Sequence, residues 1–137
     1  MRVPPIGIVL TLENEVGALA EVTKILAQAG VVVTGLTLGR GPDKRNLHLT
    51  VDKPDLAIAA LAKHGYEAKR MEIVSVRVSN RPGAIAKAAE RLAAHGVNVE
   101  AVFLSAKSAK RVELVLQVDD VKAARQALAK HLKEEEE

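Results

Sequence analysis

Two short turns in the sequence combine residue types that can bind a small polar molecule. The first is Asn14-Glu15-Val16-Gly17-Ala18-Leu19, and the second is Asn80-Arg81-Pro82-Gly83-Ala84-Ile85. Each turn leads into a segment with helical spacing of apolar residues, and the free N–H groups at the start of a helix attract a carboxylate or a phosphate. Glycine at such a place lets a ligand or another backbone come close. The residues of both turns are therefore the candidate ligand-binding residues.

A structural role for the same turns remains open from the sequence alone. Asn is a preferred N-cap, so Asn14 and Asn80 could close the first helical turn while Gly17 and Gly83 only permit the bend. The presence of two such turns does not separate the interpretations, because a duplicated cap would also occur twice.

The two turns belong to an internal repeat that covers most of the chain. Self-similarity at a fixed spacing indicates that each copy is one structural unit. We expect two units, residues 1–71 and 72–137, and residues 66–78 contain no Gly or Pro that would form a flexible linker. Identical residues stand in register at Asn14/Asn80, Gly17/Gly83, Ala18/Ala84, Ala20/Ala86, Leu26/Leu92, Ala27/Ala93, Gly30/Gly96, Val31/Val97 and Val33/Val99.

Each copy predicts the order strand, helix, strand, strand, helix. Apolar runs and strict alternation indicate strands, and apolar residues three or four positions apart indicate helices. In the first copy, strands are predicted at residues 6–12, 31–38 and 46–51, and helices at 17–29 and 54–64. In the second copy, strands are predicted at residues 73–78, 97–104 and 112–118, and helices at 83–94 and from 121 onward.

Asp residues precede the second helix of each copy. Asp52 is expected to cap the helix that has Pro54 in its first turn, and Asp119 or Asp120 is expected to cap the last helix.

The ends of the two copies differ. Residues 66–70 predict a fourth strand in the first copy, whereas Lys133 and four consecutive glutamates occupy the same place in the second. Adjacent carboxylates repel one another and have low β propensity, so residues 133–137 predict an acidic tail without a strand. The fold class is therefore α+β, with two ferredoxin-like βαββαβ units in tandem, the second of which lacks its last strand.

The turns, together with Leu26/Leu92, Gly30/Gly96 and Val33/Val99, resemble the ACT domain, a ferredoxin-like family that senses small molecules, most often amino acids. The stretch from Glu13 to Leu19 is similar to the opening of the small regulatory subunit of acetolactate synthase. The first copy has Val16 where the family usually has Pro, and both copies have Asn where Asp is more usual.

The resemblance implies a ligand at the interface between paired ACT units. The turn of one unit would face the second strand of its neighbour, near residues 34–36 or 100–102. Backbone N–H groups of Gly17 and Ala18, or of Gly83 and Ala84, would hold the carboxylate of an amino acid. The side-chain oxygen of Asn14 or Asn80 would accept a hydrogen bond from the ammonium group.

Several other kinds of site are not predicted. The chain has no Cys, which excludes disulfides and thiolate metal sites. His64, His95 and His131 fall near predicted helix ends, where a structural role is favoured, and His48 stands alone on a strand. The hydroxyl residues have no context that resembles a catalytic nucleophile. We therefore expect no catalytic residue, no metal and no cofactor, and a protein that is not an enzyme.

Nucleic-acid and membrane binding are also not predicted. Tyr66 and Phe103 are the only aromatic residues, too few for a surface that stacks bases. No apolar run approaches the roughly 20 residues of a membrane span, and residues 1–5 do not resemble a secretion signal. The expected location is the cytoplasm. Basic residues cluster at both predicted hairpin tips, with solvation as their simplest role: Arg40, Lys44 and Arg45, and Lys107, Lys110 and Arg111.

The sequence and the resemblance together predict a regulatory protein that binds an amino acid between ACT units. A homodimer that pairs through exposed sheet edges is expected. One alternative is a non-catalytic regulatory subunit or interaction partner of an amino-acid biosynthetic enzyme. A transcriptional regulator is a weaker alternative, because no segment remains for a DNA-recognition helix.

Overall fold

Strands and helices follow one another in an order that occurs twice. The computed structural model describes residues 6–106 and 108–136, with side chains through 105 and from 108 to 129. The first unit contains β1 (Ile6–Glu13), α1 (Ala18–Gln28), β2 (Val33–Leu38), β3 (Lys44–Val51), α2 (Pro54–Lys63) and β4 (Lys69–Glu72). The second contains β5 (Val74–Ser79), α3 (Ala84–Ala94), β6 (Val99–Ala106), β7 (Arg111–Val118) and α4 (Val121–Glu136). By its internal contacts the chain divides at Met71, after which the second unit begins.

The first unit is a four-stranded sheet with two helices on one face. Its strand order is β2-β3-β1-β4, and β3 pairs antiparallel with both β1 and β2. Alternate residues of β1 point to one face, where Ile8, Leu10 and Leu12 are buried. Val22 of α1 and Leu61 of α2 are fully buried in the same apolar cluster. The helices therefore cover the apolar face of the sheet, and the glycine turn follows the end of the inner strand β1.

The second unit repeats this arrangement with one strand fewer. Its strand order is β5-β7-β6, with no fourth strand among the described residues. Val76 and Val78 of β5, Leu92 of α3 and Leu128 of α4 share a buried cluster. The predicted fold class, with a last strand missing from the second unit, is confirmed.

The two units diverge after the shared Leu-Ala-Lys-His sequence, where Gly65 stands in the first unit and Leu132 in the second. α2 ends at Lys63, and Gly65 has a φ of +85°, a conformation that costs other residues about 1–2 kcal/mol. The Tyr66 N–H then returns to the Leu61 carbonyl at 3.0 Å and directs the chain toward β4. In the second unit Leu132 stands in the place of Gly65, and α4 continues to Glu136.

The acidic tail is therefore helical through Glu136 rather than an unstructured extension. The sequence predicts His131 near a helix end. The residue instead lies inside α4, which continues to Glu136. Predictions that concern residues 1–5, Lys107 and Glu137 lie outside the described residues.

The second strand of each unit begins later than predicted, at Val33 and at Val99. The N–H of Val31 instead donates to the Leu26 carbonyl at 3.0 Å, and Val97 donates to Leu92 at the same distance. Both valines thus close the end of a helix, and both are buried. β4 also begins later than predicted, at Lys69, because the Tyr66 N–H closes the end of α2.

The prediction that Asp52 caps α2 is wrong. Its Oδ1 accepts a hydrogen bond from the Val32 N–H at 2.8 Å, and the N-cap of α2 is Lys53, without a side-chain bond. Asp119 does the same for the Asn98 N–H at 2.9 Å. Asp120 is the residue that caps α4, through the Ala123 N–H at 3.0 Å.

Among the described residues, no helix combines the length and apolar character that crossing a membrane requires.

Candidate ligand-binding turns

The two glycines take the same unusual backbone conformation at the start of a helix. Gly17 has φ 88° and ψ −7°, and Gly83 has φ 88° and ψ −13°. A side chain at either position would strain the backbone. Among the described residues, and apart from the glycine itself and its chain neighbours, no atom lies within 4 Å of the place where a Cβ would stand. The glycines are thus required by the backbone, and the space above each of them is open.

The start of α1 leaves backbone donors available. The first helical hydrogen bond runs from the Glu21 N–H to the Gly17 carbonyl at 3.0 Å, and no side chain caps the helix. Within the described part of the chain, the N–H groups of Gly17, Leu19 and Ala20 have no backbone acceptor. The Ala18 N–H donates to the Glu15 carbonyl over a long 3.4 Å. These donors form the kind of site that attracts an anionic group.

The start of α3 has the same geometry. The Lys87 N–H donates to the Gly83 carbonyl at 3.0 Å, and the Ala84 N–H donates to the Arg81 carbonyl at 3.3 Å. α3 also has no side-chain cap. The interpretation of Asn14 and Asn80 as N-caps is therefore wrong for both helices, whose N-caps are glycines.

Asn14 instead holds the first turn to the tip of a hairpin. Its Nδ2 donates to the carbonyls of Gly41 at 2.8 Å and Pro42 at 3.1 Å. Its backbone N–H donates to the Asp43 carbonyl at 2.8 Å. The amide nitrogen is thereby committed, and no hydrogen bond among the described residues uses the Asn14 Oδ1.

Asn80 makes the matching contacts in the second unit. Its Nδ2 donates to the Ala109 carbonyl at 3.1 Å, and its backbone N–H donates to the Lys110 carbonyl at 2.8 Å. The sequence predicts either a helix cap or a ligand contact for both Asn residues, whereas a contact with a distant hairpin has no local pattern that would predict it.

The remaining turn residues divide between solvent and core. Ala18 and Ala84 are buried, and Leu19 packs against the first core, whereas Ile85 is 46% exposed. Val16 is fully exposed. The other exposed members are Glu15, Arg81 and Pro82.

The two turns carry opposite charges. Glu15 and Glu21 stand at the first turn, and Arg81 and Lys87 stand at the equivalent positions of the second. All four side chains are exposed. The backbone geometry is thus matched, while the electrostatic surroundings are reversed.

Tyr66 joins the first turn from the end of α2, a contribution that the sequence reasoning missed. Partial burial, a hydrogen bond from its hydroxyl to the Glu21 carboxylate and the charges of Glu21 and Glu15 together raise the pKa of Tyr66. Tyr66 stands out in the sequence as one of only two aromatic residues. Its position beside α1, however, depends on the turn after α2.

Comparison with known proteins relates this geometry to a known fold. Residues 7–63 match the model of the ACT domain. The first unit therefore has the ACT-type fold. The second unit repeats the ACT fold without its last strand. The chain therefore contains the regulatory fold that the sequence predicted.

Solved structures are similar over almost the whole chain. A protein from Bacteroides thetaiotaomicron has 27% identity and a TM-score of 0.86, over 93% of this chain and 88% of its own. The ligand-free regulatory subunit of aspartate kinase from Thermus thermophilus has 26% identity and a TM-score of 0.70, over 92% and 91%. The corresponding subunit from Thermus flavus has 25% identity and a TM-score of 0.68, over 94% and 93%.

No curated protein matches the chain significantly. The expected similarity of the first ACT domain to the acetolactate synthase small subunit is not shown by these comparisons, which lead to regulatory subunits of aspartate kinase.

The second strand of each ACT unit lies at a sheet edge. In the first ACT domain, Leu36 on β2 is 39% exposed. In the second unit, Val102 and Leu104 on β6 are 51% and 55% exposed. The residues that the resemblance assigns to a neighbouring turn thus stand on the outer strand of each sheet.

Two histidines at helix ends contact backbone carbonyls of the preceding turn. Nδ1 of His64 lies 3.0 Å from the Ala60 carbonyl, and Nδ1 of His95 lies 2.9 Å from the Arg91 carbonyl. Burial on β3 lowers the pKa of His48. Within the described residues, no group of three His, Cys, Asp or Glu side chains is placed to hold a metal ion.

Proposed function

We propose that this chain is a regulatory protein that binds an amino acid at the glycine turns of its ACT units. One observation carries the proposal: each turn opens a helix with a left-handed glycine, open space above it and unpaired N–H groups. Occurrence of this arrangement within an ACT fold supports an amino-acid carboxylate as the group that is bound.

The Asn side chains complete the recognition of an amino acid in this proposal. Nδ2 of Asn14 is occupied by two carbonyls, so its Oδ1 is held in place as an acceptor. An ammonium group is the matching donor, and Asn80 would act in the same way. The carboxylate and the ammonium group of one molecule would thereby meet the two ends of one turn.

We propose further that a neighbouring ACT unit covers the bound amino acid, and that two chains form a homodimer. Edge strands with unpaired backbone groups and exposed apolar side chains favour pairing with another strand. Leu36, Val102 and Leu104 supply such side chains. Binding at an interface of this kind would stabilise the assembly by mass action.

A second candidate function is that of a regulatory subunit for an amino-acid biosynthetic enzyme, such as an aspartate kinase. The similarity to two regulatory subunits of aspartate kinase over more than nine-tenths of this chain favours it. The two functions are compatible, because a subunit can bind the effector and transmit its presence to a catalytic partner.

A thermal-shift panel of the twenty standard amino acids tests the first function. We expect at least one of them to raise the melting temperature of the wild-type chain. Gly17→Val and Gly83→Val together should abolish this response, because a side chain strains the turn and fills the open space.

Gly30→Val and Gly96→Val provide the matched control. These glycines also have positive φ and open surroundings, but they lie at the opposite ends of α1 and α3. Their replacement should lower stability by a similar amount and leave the amino-acid response intact. A response that survives in the Gly17/Gly83 double variant would contradict the proposed site.

The second candidate is tested with an aspartate kinase catalytic subunit purified without its own regulatory subunit. We expect this chain to co-elute with it in size-exclusion chromatography and to make phosphoryl transfer sensitive to an amino acid. Separate elution and unchanged activity across the amino-acid panel would argue against this role.

A further inference from the structure

The side chain of Asn14 connects two parts of the first unit that are distant in sequence. One part is the glycine turn, and the other is the first hairpin tip, residues 39–43 between β2 and β3. Three hydrogen bonds of 2.8–3.1 Å join them, two from Nδ2 and one from the backbone N–H of Asn14.

The second unit repeats this connection with a different tip. The second hairpin tip, residues 108–110, has the sequence Ser-Ala-Lys, which is unrelated to the Gly-Arg-Gly-Pro-Asp of the first. Asn80 nevertheless donates to carbonyls of this tip from both its side chain and its backbone. The acceptors are backbone atoms in both units, so the Asn is the part of the connection that depends on a side chain.

This arrangement explains why Asn, and not Asp, suits the position. All the partners of its side chain are carbonyl oxygens, which only accept hydrogen bonds. An amide supplies a donor, whereas an ionised carboxylate has none. A carboxylate at this place would lose the hydrogen bonds and face oxygen atoms of like partial charge.

Each tip has few other attachments to its unit. Pro42 and Asp43 are exposed, as are Ala109 and Lys110, and none of the four belongs to a core cluster. Ser108 organises the second tip internally, because its Oγ accepts the N–H groups of Lys110 and Arg111 at 3.3 and 3.2 Å. The strand pairs Glu13/Lys44 and Ser79/Arg111 anchor the base of each hairpin, and beyond them the Asn side chain links the tip to the turn.

The segment between Asn14 and Gly17 is short and stiff. The Glu15 N–H donates to the Glu13 carbonyl at 3.0 Å, and the Ala18 N–H donates back to Glu15. A ligand that accepts a hydrogen bond from the Gly17 N–H thus acts on a segment whose other end is hydrogen-bonded to the tip. Positive side chains of the tip region, such as Arg40 and Lys44, are exposed at the surface.

We propose that Asn14 and Asn80 are positioning residues that couple each glycine turn to its hairpin tip, so that occupancy of the turn is reported at the tip. This inference rests on the proposed binding of an amino acid at the turns. It assigns the tips as the surface where binding changes the order of the molecule.

Hydrogen–deuterium exchange of the full chain tests the coupling, first without any added amino acid. Asn14→Asp should accelerate exchange in residues 39–46 by about tenfold, because the two side-chain hydrogen bonds to the tip are lost while the backbone bond remains. Residues 108–112 of the second unit serve as an internal control and should not change. Asn14→Ala should give a smaller increase in the same direction, and it replaces Asn14→Asp if that variant fails to fold.

The second arm adds a mixture of the twenty standard amino acids at equal concentrations. In the wild type, exchange should slow at both residues 17–22 and residues 39–46. In Asn14→Asp, whose carboxylate can still accept a hydrogen bond from the ammonium group, the amino-acid concentration is raised until residues 17–22 slow as in the wild type, and the slowing at residues 39–46 should then be absent. A merely structural Asn would change the basal exchange but not this split between the turn and the tip.

The outcomes separate the two proposals. Slowing at the turn without slowing at the tip of the wild type would overturn the coupling and leave amino-acid binding in place. Equal slowing at the tip of the wild type and the Asn14 variant would also overturn the coupling. No slowing at either place in the wild type would overturn the proposed function together with the coupling that rests on it, whatever the basal exchange of the variant.

Discussion

The two glycine turns share a backbone and differ in charge. Gly17 and Gly83 have the same φ of 88°, and both helices begin without a side-chain cap. The side chains around them are reversed, with Glu15 and Glu21 at one turn and Arg81 and Lys87 at the other. In the proposed function, the shared part would bind what every amino acid has, a carboxylate and an ammonium group. The differing part is suited to discriminate between side chains of the ligand.

The two units differ equally at their ends. The same Leu-Ala-Lys-His sequence is followed by Gly65 in one unit and by Leu132 in the other. The glycine ends α2 and allows β4 to form, whereas α4 continues to Glu136. The two units therefore differ in architecture after this position, while the backbone of the glycine turn is the same in both.

Exchanging the residues that follow the shared Leu-Ala-Lys-His sequence has the largest expected effect. Gly65→Leu forces a side chain into a left-handed conformation, which costs about 1–2 kcal/mol, or extends α2 at the expense of β4. The first unit should unfold at lower denaturant concentration. Circular dichroism and urea titration measure both changes.

The reverse exchange, Leu132→Gly, serves as the matched variant. A glycine inside α4 should cost about 1 kcal/mol and reduce the helical signal. If Gly65→Leu leaves both the helical signal and the stability unchanged, the explanation of the different chain ends by Gly65 is wrong.

Exchanging the charges around the turns has an intermediate effect. Glu15→Arg with Glu21→Lys gives the first turn the charges of the second. In a Gly83→Val background, calorimetry then reports the first turn alone. Binding of L-aspartate relative to L-lysine should increase by about threefold to tenfold, because exposed charges interact only modestly through water.

Lys24→Glu is the control for this exchange, because it changes an exposed charge farther along α1. It should leave the preference between L-aspartate and L-lysine nearly unchanged. An identical preference in the wild-type and charge-exchanged turns would mean that the reversed charges do not select the ligand.

The smallest effect is expected at the equivalent positions His48 and Val115 on the third strands. Burial lowers the pKa of His48 below its usual 6.5, so the unfolded chain binds a proton more readily than the folded chain. The free energy of unfolding should therefore decrease as the pH falls below about 6.5. His48→Val should weaken this decrease, as measured by urea titrations from pH 7.5 to 5. His95→Gln is the control, and a pH profile that His48→Val leaves unchanged would contradict the role of His48.

Much of the fold could be predicted from the sequence because the signals are local. The alternation of Ile8, Leu10 and Leu12 and the repeated glycine turns predict strands and helix starts without knowledge of distant contacts. The missing last strand is also predictable from the four glutamates, but they do not indicate the structural role of Leu132. Its replacement by a longer helix follows from the absence of a glycine there.

The candidate site was predictable in place but not in detail. Gly17 and Gly83 stand out by type and by repetition, whereas the partners of Asn14 lie about thirty residues away and depend on the pairing of β1 with β3. Tyr66 reaches the first turn only because α2 ends beside it. The sequence likewise predicts that Asp52 caps the nearest helix, because its contact with Val32 has no local signal.

Nuclear magnetic resonance titration of the backbone amides tests the central claim most directly. When the twenty standard amino acids are added separately, at least one should shift the Gly17 or Gly83 N–H resonance downfield in a saturable manner, as a hydrogen bond to a carboxylate requires. The resonances of Gly30 and Gly96, at the other ends of the same helices, should remain in place. Saturable shifts confined to other parts of the chain, with Gly17 and Gly83 unaffected by every amino acid, would contradict the account.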